Sequence, residues 1–246
     1  MAVHDFQAQR LFIDAALAAD AAVPCSGSQA NYLLNVLRLK AGDAILVFNG
    51  RDGEWRARIS DVKSRTCALA IEERVRAQET GPDIDYLFAP LKRARLDYMV
   101  QKATELGVAR LRPVMTRRTV AERVNLDRLR ANVIEAAEQC GILRIPEIAM
   151  PDKLERVLSG WDASCRLVFC DENAEGGDPL ATLARLEPGA IALIVGPEGG
   201  FDPDERALLL RQPYTVPLSL GPRIMRADTA AVAALALINA TLGDWC

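Results

Sequence analysis

The amino-acid sequence predicts an α/β protein in which a small β-barrel comes before a domain with a parallel sheet. Up to about residue 72, short runs with strand character are separated by turn sequences such as "KAGD" and "NGRDG". From about residue 83 onwards, strand and helix patterns alternate, which is typical of a parallel sheet covered by helices. The 246 residues, half of them apolar, are sufficient for both domains.

Four strand candidates and one helix make up the predicted barrel. The helix, at about 28–38, has Ser28 as its expected cap and leucines on its inner face. Small barrels often bind oligonucleotides through their strands and loops, but arginines in such strands are equally typical of solvated faces. The strand candidates are residues 10–14, 44–48, 54–62 and 66–72.

The second domain alternates five strand candidates with helices that carry clear stop signals. Gly107 ends the first helix, while Asn125 caps the second and Gly141 ends it. Their apolar stripes at helical spacing predict packing in the core. The strands are expected at 84–90, 110–115, 166–170, 190–195 and 214–220, and the helices at 94–106, 126–140, 178–186, 203–211 and 229–242.

Charge is distributed unevenly along the chain. The net charge of −3 by itself argues against a nucleic-acid-binding protein. Residues 92–130, however, contain eleven basic and four acidic side chains, a local charge of +7, so the remainder carries −10. Such a basic block is typical of a surface that binds a phosphate backbone, and equally typical of solvated helix faces with ion-pair partners one turn away.

The sequence contains few histidines and no paired cysteines, which limits the kinds of catalytic and metal sites that it can form. The single histidine, His4, lies close to the N-terminus, so catalytic triads and histidine metal sites are poorly supported. The six cysteines form no C-x-x-C pair, which argues against a zinc knuckle or a disulfide framework. No apolar stretch reaches the roughly 18 residues needed to span a bilayer, and the start lacks the order of a signal peptide. We therefore expect a cytoplasmic protein without a metal site or membrane contact.

One strand candidate ends in a glycine-rich loop, "VGPEGGF" at 195–201. Asp202, Pro203 and Glu205 follow it and supply an N-cap, a first-turn proline and a carboxylate at the third helical position. In open α/β sheets ligands bind at the carboxyl ends of strands, where glycines admit a ligand close to the backbone. The loop matches no dinucleotide or Walker pattern, and its glutamate suits a neutral adenosine beside a cationic group better than a polyphosphate. By itself, the motif is equally consistent with a simple turn.

A second strand candidate also ends in Gly-Pro, within "LGPRIMRADTAA" at 220–231. A polar cluster there comes directly before an alanine-rich helix that is apolar nearly all round. The helix at about 229–242 either packs in the centre of its own domain or is covered by a second subunit. The polar cluster comprises Arg223, Arg226, Asp228 and Thr229.

Taken together, these residues resemble a known family, the 16S ribosomal RNA uridine N3-methyltransferases (ribosomal small subunit methyltransferase E) of the SPOUT class. The resemblance extends over nearly the whole chain, with the motifs in the family's order and spacing. The motifs are "NVLRLKAGD" (35–43), "LKRARLDYMVQKATELGV" (91–108), "IEAAEQCG" (134–141), "VGPEGGF" (195–201) and "LGPRIMRADTAA" (220–231).

The resemblance implies a PUA-like RNA-binding barrel at residues 1–72 and a SPOUT methyltransferase domain at 73–246. It further implies a C-terminal trefoil knot and a cofactor site within about 166–246, although knots are otherwise nearly absent from proteins. The implied partners are 16S ribosomal RNA or the small ribosomal subunit, and a second copy of the chain in a homodimer.

S-adenosylmethionine is the cofactor that the resemblance implies, held largely by the backbone of the two Gly-Pro loops. Its sulfonium methyl group is already activated, whereas uracil N3 carries a proton and is hidden in a base-paired helix, so the target must be unpaired or flipped out. The expected cofactor-binding residues are Val195, Gly196, Pro197, Glu198, Gly199, Gly200, Ser219, Leu220, Gly221, Ile224, Met225, Arg226 and Thr229.

The catalytic roles are expected to fall on one arginine and one carboxylate. Arg226 would polarise a uracil oxygen and stabilise the developing N3 anion. Asp228 or Glu198 would orient the cofactor or assist deprotonation, and the sequence does not choose between them. No metal is required.

RNA phosphates are expected to bind arginines of the basic block and of the barrel. The alternative function is a non-catalytic RNA-binding or ribosome-assembly factor. Only the enzyme needs both Gly-Pro loops, and both are intact, so catalysis is favoured. The expected RNA-binding residues are Arg38, Arg51, Arg93, Arg112, Arg117, Arg118 and Arg123.

Overall fold

The structure, a computed structural model, describes residues 8–121, 123–174 and 176–245. His4 lies outside the described residues. The chain divides into two compact units, and the first is discontinuous in sequence. It comprises Met1–Thr80 and Ala137–Ile145, while the second comprises Gly81–Ala136 and Pro146–Cys246.

The first unit contains a five-stranded sheet with the strand order β1-β3-β4-β5-β2. Strands β1 and β3 are parallel and the other neighbours antiparallel. Alternate side chains of the strands join Leu33 in one apolar core. Its elements are β1 (Arg10–Phe12), β2 (Ala22–Pro24), α1 (Gly27–Asn31), a π-helical turn (Tyr32–Val36), β3 (Ala44–Phe48), β4 (Glu54–Ser60) and β5 (Ala68–Arg76).

The helix predicted at 28–38 differs from the observed one in its start and its form. Ser26, not Ser28, is the N-cap: its hydroxyl accepts a hydrogen bond from Gln29 N–H at 3.3 Å, and Gln29 Oε1 accepts one from Ser26 N–H at 2.9 Å. This reciprocal capping box selects Ser26 because only Ser26 has a glutamine three residues later. After Asn31 the chain continues as the π-helical turn.

The predicted boundary at residue 72 lies inside β5, which continues to Arg76. The first unit also includes residues 137–145, where Phe12 N–H donates to Glu138 Oε1 at 2.8 Å and the Arg76 guanidinium donates to the Gly141 carbonyl. Sequence periodicity cannot reveal these contacts, because they join residues more than sixty positions apart.

The second unit is built on a parallel sheet with the order β12-β10-β11-β6-β7-β8, in which β9 also pairs with β7. Every pair is parallel, as predicted. The central strands β6 and β11 are buried along their whole length, which explains their continuous apolar sequences. The strands are β6 (Ile84–Phe88), β7 (Arg110–Met115), β8 (Glu147–Ile148), β9 (Asp152–Lys153), β10 (Arg166–Cys170), β11 (Ile191–Val195) and β12 (Thr215–Leu218).

The helices of this unit follow the predicted pattern closely. Asn125 caps α3 by accepting a hydrogen bond from Arg128 N–H at 3.0 Å, and Gly107 follows α2 with a φ of +74°. Helix α4 and the two-residue strands β8 and β9 were not predicted, because such short segments carry no periodic signal. The helices are α2 (Arg93–Glu105), α3 (Leu126–Cys140), α4 (Leu154–Ser159), α5 (Pro179–Leu183), α6 (Pro203–Leu210) and α7 (Ala227–Leu242).

The alanine-rich helix α7 packs against α2, α5 and β11. Ala234 is fully buried on this inner side, and the Asn239 side chain donates to the Leu106 carbonyl at 2.8 Å. The inner side of α7 is therefore part of the core. Its outer side stays partly exposed and apolar, with Val232, Ala233, Ala236, Leu237 and Ala240. Among the described residues, no helix has the length and apolar character needed to cross a membrane.

Candidate active site

A cleft of about 380 Å³ opens at the carboxyl ends of β10, β11 and β12. These strands are neighbours in the sheet, so their last residues Cys170, Val195 and Leu218 all lie along the cleft. Three loops follow them: residues 171–173, 196–200 and 219–226. The cleft therefore occupies the position where open α/β sheets bind ligands.

The loop Gly196–Gly200, here called the cofactor loop after the role expected from the sequence, depends on its glycines. Gly200 has a φ of +67° and a Cβ at this position would lie 2.6 Å from Glu172 Oε1. A Cβ on Gly196 would lie 2.7 Å from the ring of Phe201, which itself packs edge-on against Phe169. A side chain at Gly196 would therefore displace the Phe201 ring, and one at Gly200 would require the Glu172 carboxylate to move and the backbone to accept a positive φ.

The start of α6 fixes the far end of the cofactor loop. Asp202 caps the helix by accepting from Asp204 N–H at 3.1 Å, and Glu205 Oε2 accepts from Asp202 N–H at 3.1 Å. This confirms the predicted capping box. The Arg117 guanidinium also donates to Asp202 and Asp204, both at 2.7 Å, and its backbone N–H donates to Glu205 Oε1 at 2.8 Å.

The loop after β12 is the most exposed wall of the cleft. Gly221 has a φ of +103°, and the Ile224 side chain is 86% exposed. Arg226 lies in the cleft lining at the start of α7 and is exposed. Asp228 accepts a hydrogen bond from Thr229 N–H at 2.9 Å in the first turn of α7.

Most of the predicted cofactor residues line this cleft, and a few do not. Asp228 and Thr229 lie outside the lining, and so does Gly199, whose carbonyl accepts from Arg118 at 2.8 Å. Glu198 lines the cleft and forms an ion pair with Arg95. The other predicted residues in the lining are Val195, Gly196, Pro197, Gly200, Ser219, Leu220, Gly221, Ile224, Met225 and Arg226.

The third loop of the cleft was missed by sequence reasoning. Asp171 is buried and bound by Arg206 through two nitrogens, at 2.8 and 3.0 Å. The Glu172 carboxylate has no hydrogen bond or ion pair within the described residues. Burial raises the pKa of the neighbouring Cys170 thiol to about 12, so this thiol stays protonated at neutral pH. The sequence did contain a signal for this loop. It follows the predicted strand 166–170, whose carboxyl end lies at the same edge of the sheet as the other two strand ends.

Several arginines predicted to bind RNA already contact protein groups. Arg112 donates to the buried Asp85 carboxylate at 3.1 Å and lies over the Trp161 ring. In the first unit, Arg51 lies 3.6 Å from the Asp14 carboxylate. As described above, Arg117 and Arg118 also have protein partners. The remaining predicted residues, Arg38, Arg93 and Arg123, are exposed.

Comparison with known proteins identifies the family. The RNA methyltransferase domain family matches residues 78–239, and the RNA methyltransferase PUA domain family matches residues 26–72. Ribosomal RNA small subunit methyltransferase E of Rickettsia conorii is 33% identical over 238 residues, covering 96% of this chain and 97% of that protein. The chain belongs to the ribosomal RNA small subunit methyltransferase E family.

Other members of the methyltransferase E family extend the comparison. The Synechocystis protein of that name is 33% identical over 241 residues, covering 96% of this chain and 78% of that protein. A crystal structure of the Neisseria gonorrhoeae enzyme bound to S-adenosyl methionine superposes with a TM-score of 0.87 at 26% identity, covering 97% of this chain and all of that one. The PUA-like domain expected from the sequence is thereby confirmed.

Replacing Gly200 by alanine should lower the free energy of unfolding by about 1 to 3 kcal/mol, because alanine is strained at the positive φ of this position. Gly189→Ala is the matched control, since a Cβ there meets no atom within 4 Å and its φ is not positive. Denaturant unfolding of both variants measures the difference. Equal stability of the two would show that the loop tolerates a side chain.

Proposed function

We propose that this methyltransferase E family member transfers the methyl group of S-adenosylmethionine to N3 of a uridine in 16S ribosomal RNA. The observation that carries the proposal is the cleft at the ends of β10, β11 and β12. It lies wholly within the region matched by the RNA methyltransferase family and brings glycine-rich backbone together with exposed charged side chains such as Glu172 and Arg226. A ribosome-assembly factor without catalytic activity would not need such a cleft.

The residues of the cleft fit S-adenosylmethionine. The cofactor loop would face the flat, neutral adenine in the cleft that it lines. The Glu172 carboxylate, which has no partner within the described residues, suits hydroxyl donors such as those of the ribose. Residues 219–221 and Met225 would form the opposite wall. When bound, the cofactor supplies a methyl group activated by its sulfonium.

Arg226 is the residue best placed to act on the base. Its guanidinium stands exposed in the cleft lining and presents a positive charge there. It would stabilise the negative charge that develops on the uracil as N3 loses its proton. Glu198 is held by Arg95, and Asp228 binds a backbone N–H outside the cleft, so we assign both to the positioning of loops.

The Arg226→Ala variant should lose methyl transfer by about 100- to 1000-fold, as expected when one group that stabilises developing charge is removed. Cofactor affinity should change little. The assay is transfer of labelled methyl to small-subunit RNA, followed by mapping of the modified base, with the exposed Arg185→Ala as control. Label on cytidine or on a ribose would contradict the uridine N3 assignment. RNA binding without any transfer would favour the assembly factor.

Glu172→Gln should weaken S-adenosylmethionine binding by about tenfold, because hydrogen bonds to a charged acceptor are stronger than those to an amide of the same size. Isothermal titration calorimetry without RNA measures the affinity. The exposed Glu187→Gln variant makes the same chemical change in the same unit, away from the cleft. Wild-type affinity in Glu172→Gln would exclude this carboxylate from the cofactor site.

We further propose a homodimer in which the outer side of α7 packs against a second copy. This side is apolar and partly exposed, and it adjoins the exposed Ile224 loop of the cleft. Small alanines would permit close approach of two helices at a two-fold axis.

The family resemblance also supports a trefoil knot within residues 166–246. An experimental structure in which the chain is not threaded there would contradict the knot. Because its proposed substrate is ribosomal RNA, we also propose that the protein is cytoplasmic.

Ala236→Glu should convert the proposed dimer into a monomer, because the charge would be buried without a partner at the subunit contact. Ala234 is unsuitable for this test, since it is buried within the unit itself and a charge there would disturb folding. Sedimentation at micromolar concentration measures the state of wild type, Ala236→Glu and the exposed control Ala207→Glu. A wild-type monomer with full activity would refute the dimer.

A further inference from the structure

Two arginines of the basic block reach the cofactor loop from different elements. Arg95, from the first turn of α2, forms an ion pair with the Glu198 carboxylate. Arg118 donates from its guanidinium to the Gly199 carbonyl at 2.8 Å, and its side-chain carbons lie where a Cβ on Gly199 would touch them. Consecutive residues of the loop are thus held, one through its side chain and one through its backbone.

The segment that carries Arg118 is itself tightly fixed. It follows β7 as a turn in which Thr116 N–H donates to Thr119 Oγ1 at 2.9 Å and Thr119 N–H donates to the Thr116 carbonyl at 3.1 Å. The intervening Arg117 is bound to the carboxylates at the start of α6. The backbone of Arg118 is therefore anchored on both sides, so its guanidinium is presented to the loop by a rigid support.

The cofactor loop needs such support. It contains three glycines, the residue that loses the most conformational freedom on folding, and one of them has a positive φ. Within the loop, a single backbone hydrogen bond, from Gly200 N–H to the Pro197 carbonyl at 2.9 Å, closes the turn. Hydrogen bonds from charged donors are stronger than neutral ones and can hold a loop of this kind in one conformation.

We propose that Arg95 and Arg118 are positioning residues that hold the cofactor loop in its binding conformation. This rests on the proposed function, because it takes the cleft to bind S-adenosylmethionine. Arg118 is expected from the sequence to bind RNA phosphates. By holding the loop, it would also raise the affinity for the cofactor even when RNA is absent. A phosphate-binding role alone makes the opposite prediction, since it leaves RNA-free cofactor affinity unchanged.

The test compares Arg118→Ala with Arg123→Ala by calorimetry of S-adenosylmethionine binding without RNA. Both variants remove one exposed positive charge of the basic block, but only Arg118 contacts the loop. Arg118→Ala should raise the Kd about five- to tenfold, the effect of losing a charge-assisted hydrogen bond. Arg118→Lys should recover most of this loss, since an ammonium group also donates to a carbonyl. Arg123→Ala should leave the Kd unchanged and lower the salt slope of RNA binding by about one.

Arg95 is tested by a double-mutant cycle with Glu198, since Arg95 also lines the cleft. If it acts through Glu198, Arg95→Ala and Glu198→Ala each weaken binding and the double variant is no weaker than either. Additive losses would show that Arg95 contacts the ligand directly and would overturn its positioning role. Wild-type affinity in Arg118→Ala would overturn the role of Arg118 while leaving the proposed function intact. A wild-type protein that does not bind S-adenosylmethionine would overturn both proposals.

Discussion

The parallel pairing of β10 with both β11 and β12 is the constraint on which the candidate site depends. The register aligns Phe169 with Ile194 on one side and Cys170 with Leu218 on the other, so the three strands end at one edge. Strand ends that are more than twenty residues apart along the chain, at Cys170, Val195 and Leu218, thereby meet in one cleft. Any shift of this register would separate the glycine-rich backbone of one loop from the charged side chains of the others.

Several arginines of the basic block form ion pairs within the second unit, so the block does not present all of its positive charge to a ligand. Arg112, Arg117 and Arg128 each bind a carboxylate of the same unit, so much of the local positive charge is used in holding elements together. Partly exposed pairs of this type contribute little stability individually. Their geometric effect is larger, because Arg112 links β7 to β6, Arg128 links α3 to α2, and Arg117 links the segment after β7 to the start of α6.

Sequence reasoning predicted most of the elements and most of the residues that line the cleft, and the omissions have identifiable causes. The long periodic helix at 126–140 and the short apolar strand at 166–170 were placed at their observed bounds. The cofactor loop was found because its glycines and the capping box at Asp202 are local signals. Glu172 was missed because its importance comes from its position against Gly200, which only tertiary structure creates. For the same reason, the contacts of Arg117 with Asp202 and Asp204 were not predicted, while its binding of RNA phosphates stays a prediction.

The discontinuity of the first unit has a consequence for any attempt to dissect the protein. A fragment ending at Thr80 would contain all five strands, yet it would lack the last turn of α3 and the segment up to Ile145. The Arg10 guanidinium, buried against Glu54 at 2.9 Å and adjacent to Gly141, would then lose part of its cover. Moving this β-domain into another protein would therefore require transplanting two separate pieces of chain.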